Sequence, residues 1–329
     1  MQDPKHYDVI IVGAGPAGLT AGIYLSRARL RALILTDGTV GGQMVLTHEI
    51  ANYPGVESIN GYQLASIMRK QAKSFGCDIR SNIKVAGLSL EGPVKSATLG
   101  NGETFTADAL ILTPGGRPRT LGVDGETAFK GKGISYCATC DGDFFTGKEV
   151  VVVGGGNSAL EEAVSLTKYA SKVTIVHQFD HFQAFPYAVE EARANEKIRF
   201  IMRSVIEGFH GGENLESVRI RNLDTDAVIE YPTDGVFIFI GYLPNTNFLE
   251  GQIAMNDKGE ILVDPATMET RTDGVFAAGD CIVKKYRQVT TAVGEGTVAA
   301  LSAAEYIRQQ QLERERALEL PLMAALDHS

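Results

Sequence analysis

The chain has 329 residues, 44% of them hydrophobic and 22% charged, with a formal net charge of −9. Those proportions exclude a disordered or membrane-embedded chain, and the length is too great for one ordinary core and suits two domains. The acidic balance argues against a nucleic-acid partner, which would require a basic face.

Apolar runs such as 9–12 and 150–153 are strand-sized and stop at glycines, so no transmembrane segment is expected. Residues 1–7 enter the first strand directly, without the charged head, apolar middle and cleavage site of a signal peptide. A cytoplasmic protein with reduced thiols is expected. Residues 7–12 read as a continuous apolar strand, followed by Gly13-Ala14-Gly15-Pro16-Ala17-Gly18 and a helix-compatible run over 19–29. Strand, GxGxxG and helix in that order make the dinucleotide fingerprint: Gly13 for the turn, Gly15 for backbone approach to a pyrophosphate, Gly18 for close helix packing. The helix N-terminus then turns free N–H groups and a positive dipole end toward the phosphates. A second strand is expected over 31–35. Asp37, one step beyond the usual place, is the acid expected at the adenosine ribose. The stretch from Gly41-Gly42-Gln43 to Asn52-Tyr53-Pro54-Gly55 reads as a loop, and Asn60 as the cap of a helix over 61–75. Cys77 reads as a small core residue. Strands over 84–90, 95–99 and 109–113 close this first segment.

The reactive stretch is Ser135-Tyr136-Cys137-Ala138-Thr139-Cys140-Asp141-Gly142. Two residues between Cys137 and Cys140 let the sulfurs meet in a small, exchange-prone ring, so the pair is redox-active or half a metal site. Cys77 and Cys281 stand alone, no second CxxC completes a four-thiolate zinc site, and no metal is expected. Asp141 stands where it could exchange a proton with a thiol, and read alone it is equally a turn residue before Gly142. The opening pattern then repeats, with a strand over 148–153, a GxGxxA turn marked by Gly154, Gly156 and Ala159, a helix over 160–169 and a strand over 172–176. Strands near 199–201, 217–222 and 235–240 complete this unit, and 241–246 is punctuated as a return linker. A short strand ends in Gly279-Asp280, and a small-residue helix covers 291–306. The remainder is charged and helical to Glu319, with a break at Pro321.

From residue 7 to residue 307 these motifs resemble, in order, the low-molecular-weight thioredoxin reductases: GAGPAG, GGQ at 41–43, CATCDG at 137–142, GGGNSA at 154–159, GYLPNT at 241–246, and FAAGD with Arg287-Gln288. The resemblance implies an α/β fold of two Rossmann-like three-layer nucleotide-binding domains. An FAD domain would comprise 1–119 and 248–329, and an inserted pyridine-nucleotide-type domain, 120–247, would carry the CxxC. It implies a homodimer acting on thioredoxin or a thioredoxin-like protein. Gly13, Gly15 and Gly18 would hold the FAD pyrophosphate, with Asp37 at the ribose. Gln43, Asn52, Arg287 and Gln288 would lie about the flavin, and Asp280 at its ribityl or phosphate part. Cys140 would face the flavin, Cys137 would attack the partner's disulfide, and Asp141 would be the acid-base partner.

Two stretches depart from the family pattern. Members that use NADPH carry arginines for its 2′-phosphate where this chain has Gln178, Phe179 and Gln183, so an ordinary NADPH preference is not expected. No acid at His177 or Gln178 selects NADH either, and His177 and His181 are poor substitutes for guanidinium groups. The donor stays open between NAD(P)H at Gly154, Gly156 and Ala159 and a protein donor such as ferredoxin or a second flavoprotein. The tail 308–329 exceeds the family pattern; Leu320, Leu322, Met323 and Leu326 are expected to seek a surface, the other subunit for instance, with His328 near a flavin. Ferredoxin-NADP reductase shares the two-domain plan but lacks the CxxC. An FAD-binding redox sensor or a dithiol oxidase remains an alternative use of the same thiols.

Overall fold

A computed structural model describes residues 5–47 and 50–326, with side chains inside the last helix described as far as residue 317. Residues 1–4, the side chains of Leu320, Leu322, Met323 and Leu326, and His328 lie outside the described residues. The chain divides into two compact units, Met1–Arg117 with Pro244–Ser329, and Pro118–Leu243. Both are Rossmann-like α/β units built on parallel strands.

In the discontinuous unit, β1 (His6–Val12) is the apolar run, and its lack of alternation reflects burial on both faces. The Gly13 turn leads into α1 (Pro16–Arg27), where Pro16 occupies a first-turn position whose missing N–H is no loss. The sheet continues through β2 (Ala32–Thr36). The Asn60 side chain caps α2 (Gly61–Ser74), accepting from Tyr62 N–H at 2.8 Å. Then come β3 (Asp78–Ser81), β4 (Val85–Ser89), β5 (Lys95–Leu99) and β6 (Thr104–Leu112). The order is β3-β2-β1-β6-β5-β4, with β1 parallel to β2 and β6. β6 begins five residues before the expected strand, because its polar first half, Thr104 to Ala107, pairs antiparallel with β5. Alternation of Thr104, Thr106 and Asp108 with Phe105, Ala107 and Ala109 hides that half from a search for apolar runs. The chain leaves through β7 (Gly116–Pro118).

The continuous unit starts with β8 (Ile134–Ser135) and the single turn α3 (Ala138–Asp141), then β9 (Glu149–Val153), α4 (Asn157–Leu166) and β10 (Lys172–Val176). After α5 (Pro186–Ala194), absent from the sequence expectation, come β11 (Ile198–Ile201), β12 (Ser204–Gly211), β13 (Leu215–Asn222), β14 (Val228–Pro232) and β15 (Gly235–Ile238). The parallel sheet runs β11-β10-β9-β15-β8, and β12-β13-β14 forms a separate antiparallel sheet. Successive β9 side chains serve two cores: Val150 and Val152 pack with the α4 residues Leu160 and Ala163, while Val151 and Val153 pack with Ile206, Val218 and Ile220 of the antiparallel sheet. The unit therefore has three layers, set by the period of two along one strand.

Return is through β16 (Tyr242–Pro244), which pairs with β7, and then β17 (Val275–Ala277), parallel to the last residues of β6. The final helix, α6 (Val289–Leu326), is longer than the expected 291–306 and continues through Pro321. A proline inside a helix removes one backbone bond and clashes with the preceding turn, yet its fixed φ lies in the helical range. α6 packs on α1, and Gly296 permits the approach: a Cβ there would stand 2.3 Å from the Ala17 carbonyl oxygen. Gly296→Ala is expected to lower stability by roughly 1–3 kcal/mol. Gly294→Ala, where a Cβ meets nothing within 4 Å, is expected to be neutral or stabilising by up to about 1 kcal/mol. Denaturant midpoints of the two variants check this contrast.

Candidate active site

Cys137 and Cys140 are joined as a disulfide with Cα atoms 5.3 Å apart, at the start of α3. The turn forms because Cys137 is extended and caps α3 through its sulfur, which accepts from Cys140 N–H at 3.2 Å; Asp141 N–H returns to Cys137 O at 3.2 Å. Ser135, buried at the end of β8, accepts from Cys137 N–H at 3.1 Å and donates its hydroxyl to Asp141 Oδ2 at 2.5 Å. Next to it, Tyr136 donates to buried Glu126 at 2.7 Å, and that carboxylate also accepts from Leu121 and Gly122 N–H. Burial and then the Glu126 carboxylate push the Tyr136 hydroxyl well above its ordinary pKa. In the sequence Ser135 opens the reactive stretch with no role that its neighbours reveal, and Glu126 is an ordinary polar residue.

In the discontinuous unit the first glycine turn is built for close approach. Gly13 has φ +113°, and a Cβ on it would lie 2.0 Å from Thr113 O; one on Gly18 would lie 2.0 Å from Gly13 O. A Cβ on Gly15, in contrast, meets nothing within 4 Å. The α1 N-terminus has no side-chain cap and no acidic residue in its first turn. Open space beside Gly15 and uncapped N–H groups fit the pyrophosphate of a dinucleotide. Two distant segments reach the same turn. Gly41 N–H donates to Ala14 O at 2.7 Å, while a Cβ on Gly42 would stand 3.1 Å from Gly15 Cα, so the exposed Gln43 follows a loop laid on the turn. From the C-terminal segment, a Cβ on Gly279 would lie 3.1 Å from Ala17 Cβ, which puts Asp280 beside α1. Lys284 Nζ stands 3.4 Å from Asp280 and 2.8 Å from Glu295, and Glu295 also accepts from Gly279 N–H at 2.9 Å. Burial raises the Glu295 pKa, while Lys284 opposes that shift. Asn52 Nδ2 is 3.5 Å from Gln288 Oε1, although 236 positions separate them in the chain. Asp37 is exposed, just past β2, and Arg287 pairs with Glu260.

The second glycine turn keeps the strand-turn-helix form, with Gly154 at φ +140° and open space at Gly156; buried Ala159 packs below it. The segment after β10 is an aromatic cluster. His177 is 5% exposed, stacks on Phe182 at 5.7 Å, meets Phe179 edge-on at 5.4 Å and places Nε2 3.1 Å from His181 O. A Cβ on Gly155 would lie 2.3 Å from the His177 ring. Burial lowers the His177 pKa, so the ring is neutral packing and not a phosphate ligand. His181 pairs with Asp180 at 2.7 Å. Backbone folding brings one cation to this segment that the sequence reading missed: Arg203 N–H donates to Phe179 O at 3.1 Å, and its guanidinium is bound to Asp224. Among the described residues, no three His, Cys, Asp or Glu side chains converge to hold a metal, and no helix is long and apolar enough to cross a membrane.

The family model described as pyridine nucleotide-disulphide oxidoreductase matches residues 7–296. A thioredoxin reductase of Mycolicibacterium smegmatis is 44% identical over 92% of this chain and 97% of its own length, and that of Bacillus subtilis 42% over 94% and 98%. Among solved structures, the thioredoxin reductase of Streptococcus pyogenes superposes with a TM-score of 0.89 at 37% identity, covering 93% of this chain and 100% of that one.

Cys77 and Cys281 are buried, and burial pushes each thiol up to about 12. At pH 8 such a thiol is ionised to only about one part in ten thousand, and the thiolate is the nucleophile. After reduction of the folded protein at that pH, iodoacetamide is expected to modify Cys137 and Cys140, sparing Cys77 and Cys281 until denaturant is added. Peptide mass mapping checks the assignment.

Proposed function

The chain belongs to the pyridine nucleotide-disulphide oxidoreductase family and, within it, to the low-molecular-weight thioredoxin reductases, and on that premise we propose that it reduces a thioredoxin-like protein through FAD and the Cys137/Cys140 dithiol. The joined Cys137–Cys140 pair beside Asp141 is the observation that carries the reading. Gly13, Gly15 and Gly18 hold the FAD pyrophosphate at the α1 N-terminus, with Asp37 at the adenosine ribose. Asp280 takes the ribityl or phosphate part, held in place by the Lys284–Glu295 pair. Asn52 and Gln288, in mutual contact, stand at the flavin with Gln43, and Arg287 braces that segment through Glu260. FAD, when bound, supplies the two electrons that reduce the disulfide.

The thiol half then follows from exchange chemistry. The Cys137 thiolate attacks one sulfur of the partner's disulfide, forming a mixed disulfide and releasing the first partner thiolate. Cys140 loses its proton to Asp141 and attacks the Cys137 sulfur, which restores the internal disulfide and releases the second partner thiolate. The first partner thiolate takes up a proton to match the one Cys137 released to solvent on ionising, and Asp141 passes the Cys140 proton to the second, so one dithiol is oxidised as one disulfide is reduced.

On the donor side, ordinary NADPH preference is absent in this reading. The places of the phosphate-binding arginines hold Gln178, Phe179 and Gln183, His177 is buried, and Arg203 is already paired with Asp224. A 2′-phosphate would have to compete with that carboxylate. The donor is NAD(P)H at the Gly154, Gly156 and Ala159 turn, without the usual preference for NADPH, or a protein donor of the ferredoxin or flavoprotein type. A cytoplasmic homodimer completes the proposal and rests on family membership.

Anaerobic titration of the yellow protein with NADPH, NADH and reduced ferredoxin, followed by flavin absorbance, tests the donor side; NADPH is expected to bleach the flavin no faster than NADH. Cys137→Ser and Cys140→Ser are each expected to abolish thioredoxin turnover, and Asp141→Asn to lower it on the order of 100-fold. Turnover unchanged in Cys140→Ser would sink the electron path. Flavin binding without turnover would point instead to a redox sensor, and peroxide formed from reduced substrate to a dithiol oxidase.

A further inference from the structure

We propose that Ser135 is a positioning residue for the proton-transfer step at the thiol pair, holding the Asp141 carboxylate in its working orientation; the inference rests on the reading of Asp141 as the proton carrier. Ser135 is set in the parallel sheet, opposite Phe237 of β15, and is 5% exposed. Its backbone is therefore fixed independently of the one-turn helix that carries Cys140 and Asp141.

The hydroxyl spans both ends of the reactive turn. Its oxygen accepts from Cys137 N–H at 3.1 Å, and its oxygen lies 2.5 Å from Asp141 Oδ2 and 3.3 Å from Cys137 O. A serine has one proton to give, and a charged acceptor at 2.5 Å outcompetes a neutral carbonyl at 3.3 Å. The O–H is thereby directed at the carboxylate. With one oxygen held by a fixed donor, the carboxyl group loses free rotation about its side chain, and the hydrogen bond is stronger to its ionised form than to its protonated form. Both effects act on the same event, transfer of the Cys140 proton to Asp141 as the Cys140 sulfur attacks Cys137 and the partner sulfur leaves. No atom of Ser135 is consumed.

The test is single turnover of the holoenzyme, reduced anaerobically with dithionite and mixed with oxidised thioredoxin across pH 5 to about 9, a range that brackets ordinary carboxylate and thiol titration. Ser135→Ala is expected to slow the step about 3- to 10-fold at neutral pH, the scale of one lost hydrogen bond, and to move the acid limb of the profile up by roughly half to one pH unit. Ser135→Thr, which keeps the hydroxyl, is expected to restore both. In the Asp141→Asn background, Ser135→Ala is expected to add less than about 2-fold, because the two residues act as one unit. This double-variant comparison decides the question even where Ser135→Ala alters stability, since a purely structural loss would add in full. An unshifted Ser135→Ala profile beside a slow Asp141→Asn enzyme overturns the role of Ser135 and leaves that of Asp141 standing. A wild-type rate and profile in Asp141→Asn overturns both.

Discussion

Gly13 leaves no space for a side chain: a Cβ there would meet the Thr113 carbonyl at 2.0 Å, and the backbone sits at φ +113°. That contact ties the end of β1 to the end of β6 and lets the chain turn sharply enough to aim the α1 N-terminus out of the sheet. The other parts of the cofactor site proposed for this unit are arranged about that turn. The Gly41-Gly42 loop bonds to Ala14, Gly279 lies against Ala17, and Gly296 lets α6 settle on the same first turn of α1. A Cβ would stand 2.4 Å from the Val45 side chain at Gly41 and 2.3 Å from the Ala17 carbonyl at Gly296, and 3.1 Å from its neighbour at Gly42 and at Gly279, which is why small residues gather there.

The thiol site is organised by a different constraint, the need to hold a four-residue turn with almost no core of its own. Cys137 caps the turn, Tyr136 is anchored to Glu126, and Ser135 links the sheet edge to Asp141. Rigidity is borrowed from β8 and from the buried Glu126 loop. The lone cysteines show the converse case. Cys77 and Cys281 are sealed in apolar surroundings that disfavour a thiolate, so the same functional group is inert in one place and exchangeable in another.

At the second glycine turn the same strand-turn-helix form stands beside an aromatic cluster. Phe179 and Phe182 pack about His177, which fills the space over Gly155, and Arg203 answers to Asp224. An aromatic cluster gains stability from burial and edge or stacked contacts, not from binding an anion. A turn of this shape can thus be kept for helix-on-strand packing, as buried Ala159 indicates.

The sequence by itself determined whatever depends on neighbours along the chain. The two strand-turn-helix openings, the Asn60 cap and the CxxC spacing were legible because each is a rule about residues a few positions apart. Only the tertiary structure decided the contacts between segments that periodicity does not relate. Asn52 meets Gln288 across 236 positions, Arg203 reaches Phe179 from a later turn, and Ser135 reaches Asp141 only because β8 and the one-turn helix fold back on each other. Burial of His177 belongs with these, since nothing along the chain shows that Gly155 leaves room for its ring. The polar half of β6 and the whole of α5 went unread for a related reason: their patterns are weak locally and are stabilised by β5 in one case and by packing on α4 in the other.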